Sequence, residues 1–302
     1  MHLIEKINEL KRKKNAIILT HCYQNIEIDE VSDFVGDSLY LSQMAAKTNA
    51  EIIIFAGVYF MAQSAKLLSP DKKVFLPNMN SGCIMADMID VNSLRNFKEQ
   101  NPNIPVVCYI NSTAEVKAEC DICCTSSNAL NIVKDLNVPK VLFVPDTYLG
   151  KWVQSKLKNT EVITFNGFCP THLRIRPEDV ESARKKYPNA LILAHPECHT
   201  EVTKLSDFVG STKEIMDFAC KSDKKQFVIA TEKGVVDRLK RDNKNKEFIL
   251  INENIICPNM KKNSLEDIYN VLEYETNEIL INSEIADKAR LCIDKMLNLK
   301  TF

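Results

Sequence analysis

Short runs of aliphatic and β-branched residues alternate along the chain with longer stretches whose apolar positions recur at helical spacing. This is the pattern of strands and helices in parallel sheets covered on both faces. The sequence opens on MHLIEKINELKRKK, an amphipathic helix. A first pass then runs AIILTHCYQ (16–24), a helix around 31–48, IIIFAG (52–57), a helix around 59–68 and VFLP (74–77). A second runs PVVCYIN (105–111), a short helix from Ser112, a brief strand near Cys123 and Cys124, a helix from Asn128, VLFVPD (141–146), a helix from Thr147 and VITF (162–165). A third runs ALILAHPEC (190–198), a helix from about Glu201, DFVGS (207–211), a helix from Thr212, QFVIAT (226–231), a helix from Lys233 and FILI (248–251). Two helices, about 264–276 and 283–298, close the chain.

The passes begin near Ala16, Pro105 and Ala190, and one cysteine follows the last strand of each: Cys83, Cys169 and Cys257, 86 and 88 residues apart. Two independent markers with matching spacing are the mark of an internal repeat. The expected domains are 1–88, 89–175 and 176–263, with the terminal helices of 264–302 packed against the first. Three thiolates supplied once per repeat can meet on one metal centre if the repeats pack around an axis. Such a centre keeps a coordination position for substrate and acts as a Lewis acid.

Composition narrows the class. The 302 residues exceed one ordinary core, and 45% hydrophobic with 26% charged residues is usual for a globular protein. A formal charge of −1 gives no broad basic field, which argues against nucleic acid or an anionic membrane as partner. The N-terminal helix lacks the apolar core of a secretion signal. The longest apolar runs fall far short of the roughly 20 residues that span a bilayer. A cytoplasmic protein is expected, and its eleven cysteines are then thiols that are buried, redox-active or metal-bound rather than a disulfide scaffold. No GxGxxG or GxxxxGK[ST] signals a nucleotide.

Cys83, Cys169 and Cys257 sit in loops, the last two before proline, as iron–sulfur ligands often do. Zinc bound by the three thiolates and His172 is the principal alternative, and three small buried residues the plainer one. The CDIC pair, with Cys124, has zinc spacing but no second pair, so Cys120, Cys123 and Cys124 read as buried thiols. Ser38, Ser126, and Ser211 with Thr212 stand where a second element of each pass turns into a helix, a place suited to N-capping or to receiving carboxylate or phosphate. Strand ends carry His21 and Tyr23, Tyr109 and Asn111, and His195 and Glu197. Histidine, and a glutamate raised toward neutrality by burial, suit proton transfer, while Tyr23, Tyr109, His21 and His172 offer donors to a developing oxyanion.

The strings HCYQ, GDSLYLS, GVYFMAQSAKLL, SGCIMAD, CYINSTAEVKAECDICCTSSNA, FVPDTYLG, GFCPTH, AHPEC, VGSTKEIM, ATEKGV and CPNM run in order from near residue 16 to about 262. On them the chain closely resembles the quinolinate synthase family, iron–sulfur dehydratases of NAD biosynthesis. The resemblance implies three similar α/β domains with short parallel sheets in a three-layer arrangement, related by pseudo-threefold symmetry around a central active site. It implies a [4Fe–4S] cluster on Cys83, Cys169 and Cys257 with one open iron, and condensation of iminoaspartate with dihydroxyacetone phosphate, with loss of phosphate and two waters. An iminoaspartate-producing enzyme would be a functional neighbour. Position by position, His21, Ser38, Tyr109, Asn111, Ser126, His195 and Thr212 would hold substrate, Glu197 would act as acid and base and Tyr23 would assist, with His172 and Ser211 as secondary candidates. Met260 stands where some relatives carry further cysteines, and Ser81 replaces an alanine before Gly82 and Cys83. A zinc enzyme on the same trio and a non-catalytic iron–sulfur sensor are the competing readings.

Overall fold

The computed structural model describes residues 2–298. Met1 and the last four positions of the segment expected to hold the closing helices, 299–302, lie outside the described residues. Helix α1 (His2–Lys13) leads into a four-stranded sheet made of β1 (Ala16–His21), β2 (Phe34–Gly36), β3 (Ile52–Ala56) and β4 (Lys73–Phe75), with α2 (Ser38–Lys47) and α3 (Tyr59–Leu68) in its crossovers. Helix α4 (Val91–Gln100) enters a second sheet of β5 (Val106–Tyr109), β6 (Ile122–Cys124), β7 (Lys140–Val144) and β8 (Glu161–Thr164), crossed by α5 (Ala114–Lys117), α6 (Ala129–Leu136) and α7 (Thr147–Ser155). Helix α8 (Pro177–Lys186) enters the third, β9 (Leu191–Ala194), β10 (Phe208–Val209), β11 (Gln226–Ala230) and β12 (Glu247–Leu250), crossed by α9 (Thr200–Leu205), α10 (Thr212–Lys221) and α11 (Lys233–Asp242). The chain closes with α12 (Leu265–Tyr274) and α13 (Ser283–Asn298).

All strand pairs within the sheets are parallel, and the three sheets share one topology: β2-β1-β3-β4, β6-β5-β7-β8 and β10-β9-β11-β12. The repeat extends to single hydrogen bonds. A carboxylate oxygen of Asp33, Asp121 and Asp207 accepts from the backbone N–H of Ile18, Val106 and Ile192 in turn, each at 2.7 Å and each across fifteen residues. Each staple ties the start of the second strand to the first. It also fixes the correspondence between units: residues 21, 109 and 195 are equivalent, as are 23, 111 and 197, and 38, 126 and 212.

Alternate residues of a buried strand face opposite helical layers. In the third unit Ile192, Ala194, Val228 and Ala230 pack with Val180, Ala183 and Val202 of α8 and α9. Leu193, Phe227 and Ile229 meet Ile215, Ala219, Val235 and Leu239 of α10 and α11 on the other side. Burying each large aliphatic side chain contributes about 1.5–3 kcal/mol, so both layers are needed to hold the sheet. This is the three-layer α/β architecture.

Two sequence expectations change. The helix expected over 31–48 is interrupted, since β2 occupies Phe34–Gly36 and α2 starts only at Ser38, where the Asp37 carboxylate caps the Tyr40 N–H at 3.0 Å. The three-residue strand is too short to display an alternation of its own. Helices α4 and α8, which lead into the second and third sheets, escaped the sequence reading because only Leu94 in the first and Val180 and Ala183 in the second are buried. Helix α12 packs on α1 and β3, whereas α13 lies across α3, α5 and β6.

Removing a carboxylate staple leaves a buried strand N–H unpaired. Asp121→Ala is therefore expected to cost about 1–3 kcal/mol in urea unfolding, and Asp121→Asn, which keeps an acceptor oxygen, less. Equal stability of both variants and the parent would remove the staple from this account.

Candidate active site

Each critical cysteine opens a matching turn. Beyond Cys83, Cys169 and Cys257 come single 3-10 turns at Ala86–Met88, His172–Arg174 and Met260–Lys262. In each, the backbone N–H four residues on, from Asp87, Leu173 or Lys261, donates to the cysteine carbonyl. The N–H three residues on, from Ala86, His172 or Met260, points at the sulfur.

The approach to each turn repeats as well. The first residue of the helix before each sheet's last strand, Tyr59 of α3, Thr147 of α7 or Lys233 of α11, donates its N–H to the carbonyl two residues before the cysteine, that of Ser81, Gly167 or Ile255, at 2.8, 2.8 and 2.9 Å. The contact at Gly167 is close enough that a Cβ there would lie 2.6 Å from the Pro145 carbonyl oxygen. At the junction of the first and third units, a Cβ on Gly234 would lie 2.5 Å from the carbonyl oxygen of Cys22. The Arg238 guanidinium fills the remaining gap, donating to the carbonyls of Cys22 and Gln24 and pairing with Asp29.

The three sulfurs open on one cavity. His21, Tyr23, Ser38, Tyr109, Asn111, Ser126, His172, His195, Glu197 and Thr212 line it with the cysteines, so thirteen of the fourteen residues picked from the sequence meet there. Ser211 does not. Its hydroxyl caps α10, accepting from the Glu214 N–H at 3.3 Å while Glu214 returns a bond to the Ser211 N–H. Thr231, Asp37 and Arg174 were not foreseen. Thr231 lies one residue past β11, in the string ATEKGV, to which no role was given, and Asp37 was overshadowed by Ser38 beside it.

A chain of hydrogen bonds runs through the wall. The Tyr109 hydroxyl donates to Glu197 Oε1 at 2.5 Å, and His172 Nδ1 lies 2.8 Å from Glu197 Oε2 and 3.2 Å from Cys169 Sγ. His172 Nε2 lies 2.8 Å from the Thr231 hydroxyl, which is 3.0 Å from the Tyr23 hydroxyl, itself 2.9 Å from that of Thr212. A carboxylate only accepts, so Nδ1 donates to it. Nε2 of the same ring meets the Thr231 hydroxyl, and that hydroxyl meets Tyr23. The wall thus holds a continuous chain of hydrogen bonds linking Tyr23 to Glu197.

Burial sets the charge states. His21 and His195 are both lowered from 6.5 to about 3, first by burial, with Arg238 adding to the effect at His21 and Glu197 partly opposing it at His195. Both rings are neutral, and both accept at Nδ1 from the N–H two residues on, Tyr23 at 3.2 Å and Glu197 at 3.3 Å. Each therefore carries its proton on Nε2. Burial, and then Glu197, push the Tyr23 and Tyr109 phenols well above 10, so both remain donors. Glu197 departs from the sequence expectation of a raised carboxyl. Burial does push it up, but His172, His195 and the Tyr109 hydroxyl outweigh that and hold it down at about 2, so it stands ionised. Asn111 Oδ1 is buried without a partner, an acceptor left for a ligand.

A ring nitrogen of His172, Cys169 Sγ and a Glu197 oxygen lie within 4.8 Å of one another, a set that could by itself suggest zinc. Both ring nitrogens are already engaged, however, and Glu197 is shared with Tyr109. The all-sulfur trio, each member met by a backbone N–H, fits an iron–sulfur group better, since such groups are held by thiolates and tuned by hydrogen bonds to sulfur.

Thiols delivered by three distant segments to a cavity lined by histidines, tyrosines, hydroxyls and the Glu197 carboxylate define an enzyme-like site built around sulfur. Comparison with known proteins agrees. The model of the family described as quinolinate synthetase A protein matches residues 5–298, and the chain belongs to that family, whose members are iron–sulfur enzymes of NAD biosynthesis. It is 50% identical over 299 residues to a quinolinate synthase of Alkaliphilus metalliredigens, covering 99% of each chain. It is 50% identical over 294 residues to that of Caldicellulosiruptor saccharolyticus, covering 97% of each. With that of Clostridioides difficile it shares 45% over 297 residues, 98% of this chain and 97% of the other. No helix among the described residues is long and apolar enough to cross a membrane.

Depressed histidines make stability depend on pH. His21 and His195 take up protons on unfolding below 6.5, so their contribution is complete above that pH and is lost progressively as pH falls toward 3. Urea midpoints of the parent are expected to drop steadily over that window, and those of His21→Gln/His195→Gln to drop less. Parallel curves would contradict the neutral assignment.

Proposed function

We propose that the chain condenses iminoaspartate with dihydroxyacetone phosphate to quinolinate, with loss of phosphate and two waters, at a [4Fe–4S] cluster held by Cys83, Cys169 and Cys257. One iron has no protein ligand in this reading. Quinolinate synthesis is the activity for which the relatives are named. The cluster assignment rests above all on one observation: three equivalent cysteine turns, each offering an N–H to its sulfur, opening on one cavity. When bound, the cluster supplies a Lewis acid at its free iron.

The chain's own groups do the rest. Neutral His21 and His195 offer Nε2–H to substrate carboxylates without the desolvation cost of a buried cation. Ser38 and Thr212 begin α2 and α10, and Ser126 precedes α6, so hydroxyls and helix-start N–H groups receive carboxylate or phosphate together. Tyr109 and the unpaired Asn111 oxygen orient the ligand from the second unit. Glu197, ionised, takes a proton at Oε2, and the path through His172 and Thr231 to Tyr23 gives that proton a route or a replacement. Ser211 supports Thr212 through the cap it provides.

Three further readings accompany this one. The chain divides into units 1–88, 89–175 and 176–263, supported by three sheets of one topology. It works in the cytoplasm, where thiolate ligands stay reduced. An enzyme that makes iminoaspartate supplies it directly, because an imine hydrolyses in water.

Anaerobic reconstitution followed by assay for quinolinate tests the whole. Cys83→Ser, Cys169→Ser and Cys257→Ser are each expected to lose both turnover and the absorption near about 400 nm of an iron–sulfur chromophore, while Cys120→Ser and Cys124→Ser retain them. Brown, fully active protein from any of the first three would overturn the ligand set. Glu197→Gln keeps shape but loses a proton acceptor, so cluster content should be normal and kcat lower by about 10²–10⁴-fold. Parental rates would end its role as a base.

A further inference from the structure

The residue five positions beyond each cysteine reaches toward a different cysteine loop. Met88 Sδ, beyond Cys83, accepts from the N–H of Phe168, which precedes Cys169, at 3.4 Å. Arg174, beyond Cys169, donates from one guanidinium nitrogen to the carbonyls of Asn254 and Ile256, just before Cys257, at 3.3 and 3.4 Å. Lys262, beyond Cys257, donates to the carbonyl of Asn80, three residues before Cys83, at 2.7 Å. The Lys262 carbonyl in turn accepts from the Asn78 side chain at 3.2 Å. The links run first loop to second, second to third and third to first, and so close on themselves.

We propose that Met88, Arg174 and Lys262 are positioning residues forming a cyclic clasp, in which each cysteine turn fastens the loop carrying the next cysteine. Backbone pairing within a unit holds a cysteine to its own sheet, as the bonds from Tyr59, Thr147 and Lys233 do. Nothing in that pairing holds one unit's loop to another's. The clasp supplies this missing constraint with side chains at the same turn position in all three units, although the three residues differ in kind. A thioether is a weak acceptor, whereas guanidinium and ammonium are strong donors, so the Arg174 and Lys262 links carry most of the restraint. Its function is retention: two turns cannot part, to load or lose a group held between them, without breaking a link. This rests on the reading that Cys83, Cys169 and Cys257 together hold the cluster.

The test uses the full chain, first metal-free and then reconstituted. Iodoacetamide labelling of each cysteine is followed by mass spectrometry at one fixed pH, with exposed Cys220 as internal reference. Arg174→Ala should raise the labelling rate at Cys257 by about 3–10-fold, and Lys262→Ala should do so at Cys83, the range expected when one such hydrogen bond ceases to oppose local opening. Lys262→Arg, which keeps a donor, should restore the parental rate at Cys83. In the reconstituted proteins the two alanine variants should lose iron to a chelator faster than the parent by a similar factor. An increase confined to the variant's own cysteine, Cys169 for Arg174→Ala, or no increase at all, would overturn the clasp. The labelling pattern requires no cluster, so failure of the clasp and failure of the ligand assignment are separate results.

Discussion

Three thiols line one cavity, and each resists being charged there. Burial raises all three thiols, Cys83 to about 12, and at Cys83 and Cys169 the neighbouring cysteines and Glu197 add to the effect. Amide N–H groups at the turns oppose it but do not win alone. Without a cation the trio is protonated; a group that binds there displaces those protons, which couples its capture to pH. The fold spends its regularity on this point, with the same backbone bond two residues before each cysteine and the same turn after it.

The rest of the site is a repeat whose members have diverged. Equivalent positions carry His21, Tyr109 and His195, then Tyr23, Asn111 and Glu197, then Ser38, Ser126 and Thr212. A single scaffold thus presents three chemistries to one cavity: neutral N–H and O–H donors, an unpaired acceptor, and a carboxylate tied into a chain of hydrogen bonds. The position before α3, α7 and α11 has diverged as well. It is Val58 in the first unit, and in the second Asp146, whose Oδ1 caps α7 at 2.7 Å. In the third it is Glu232, which receives the Cys257 N–H at 3.2 Å and pairs with Lys261 at 3.2 Å. Lys261 also donates to the carbonyl of Tyr23, so the third cysteine loop is tied to the end of the first strand of the first unit.

Much of this was legible in the sequence, for physical reasons. Strands buried on both faces read as continuous apolar runs, so the central strands of each sheet stood out, as did the cysteine after each last strand. Edge strand β2 did not, because three half-buried residues beside a strong helix start give no periodic signal. Nine of the thirteen chosen residues that line the cavity lie at strand ends or near helix starts, which are where a parallel sheet exposes polar groups. Ser211 misled because a capping serine and a ligand-facing serine look alike before the side chain is seen to turn back on Glu214. The charge of Glu197 was misjudged since burial alone argues for a raised carboxyl, and only the positions of His172, His195 and Tyr109 reverse the balance. The cross-links between cysteine loops depend on contacts between distant segments that no local pattern encodes.

Mössbauer spectroscopy of the anaerobically reconstituted chain, with and without quinolinate, tests the central claim most directly. Three cysteine ligands predict about four irons per chain, of which one differs from the other three and alone changes when the ligand is added. Iron sites that all respond alike, or a zinc-loaded active protein without iron, would contradict convergence of Cys83, Cys169 and Cys257 on a cluster with one corner open to substrate.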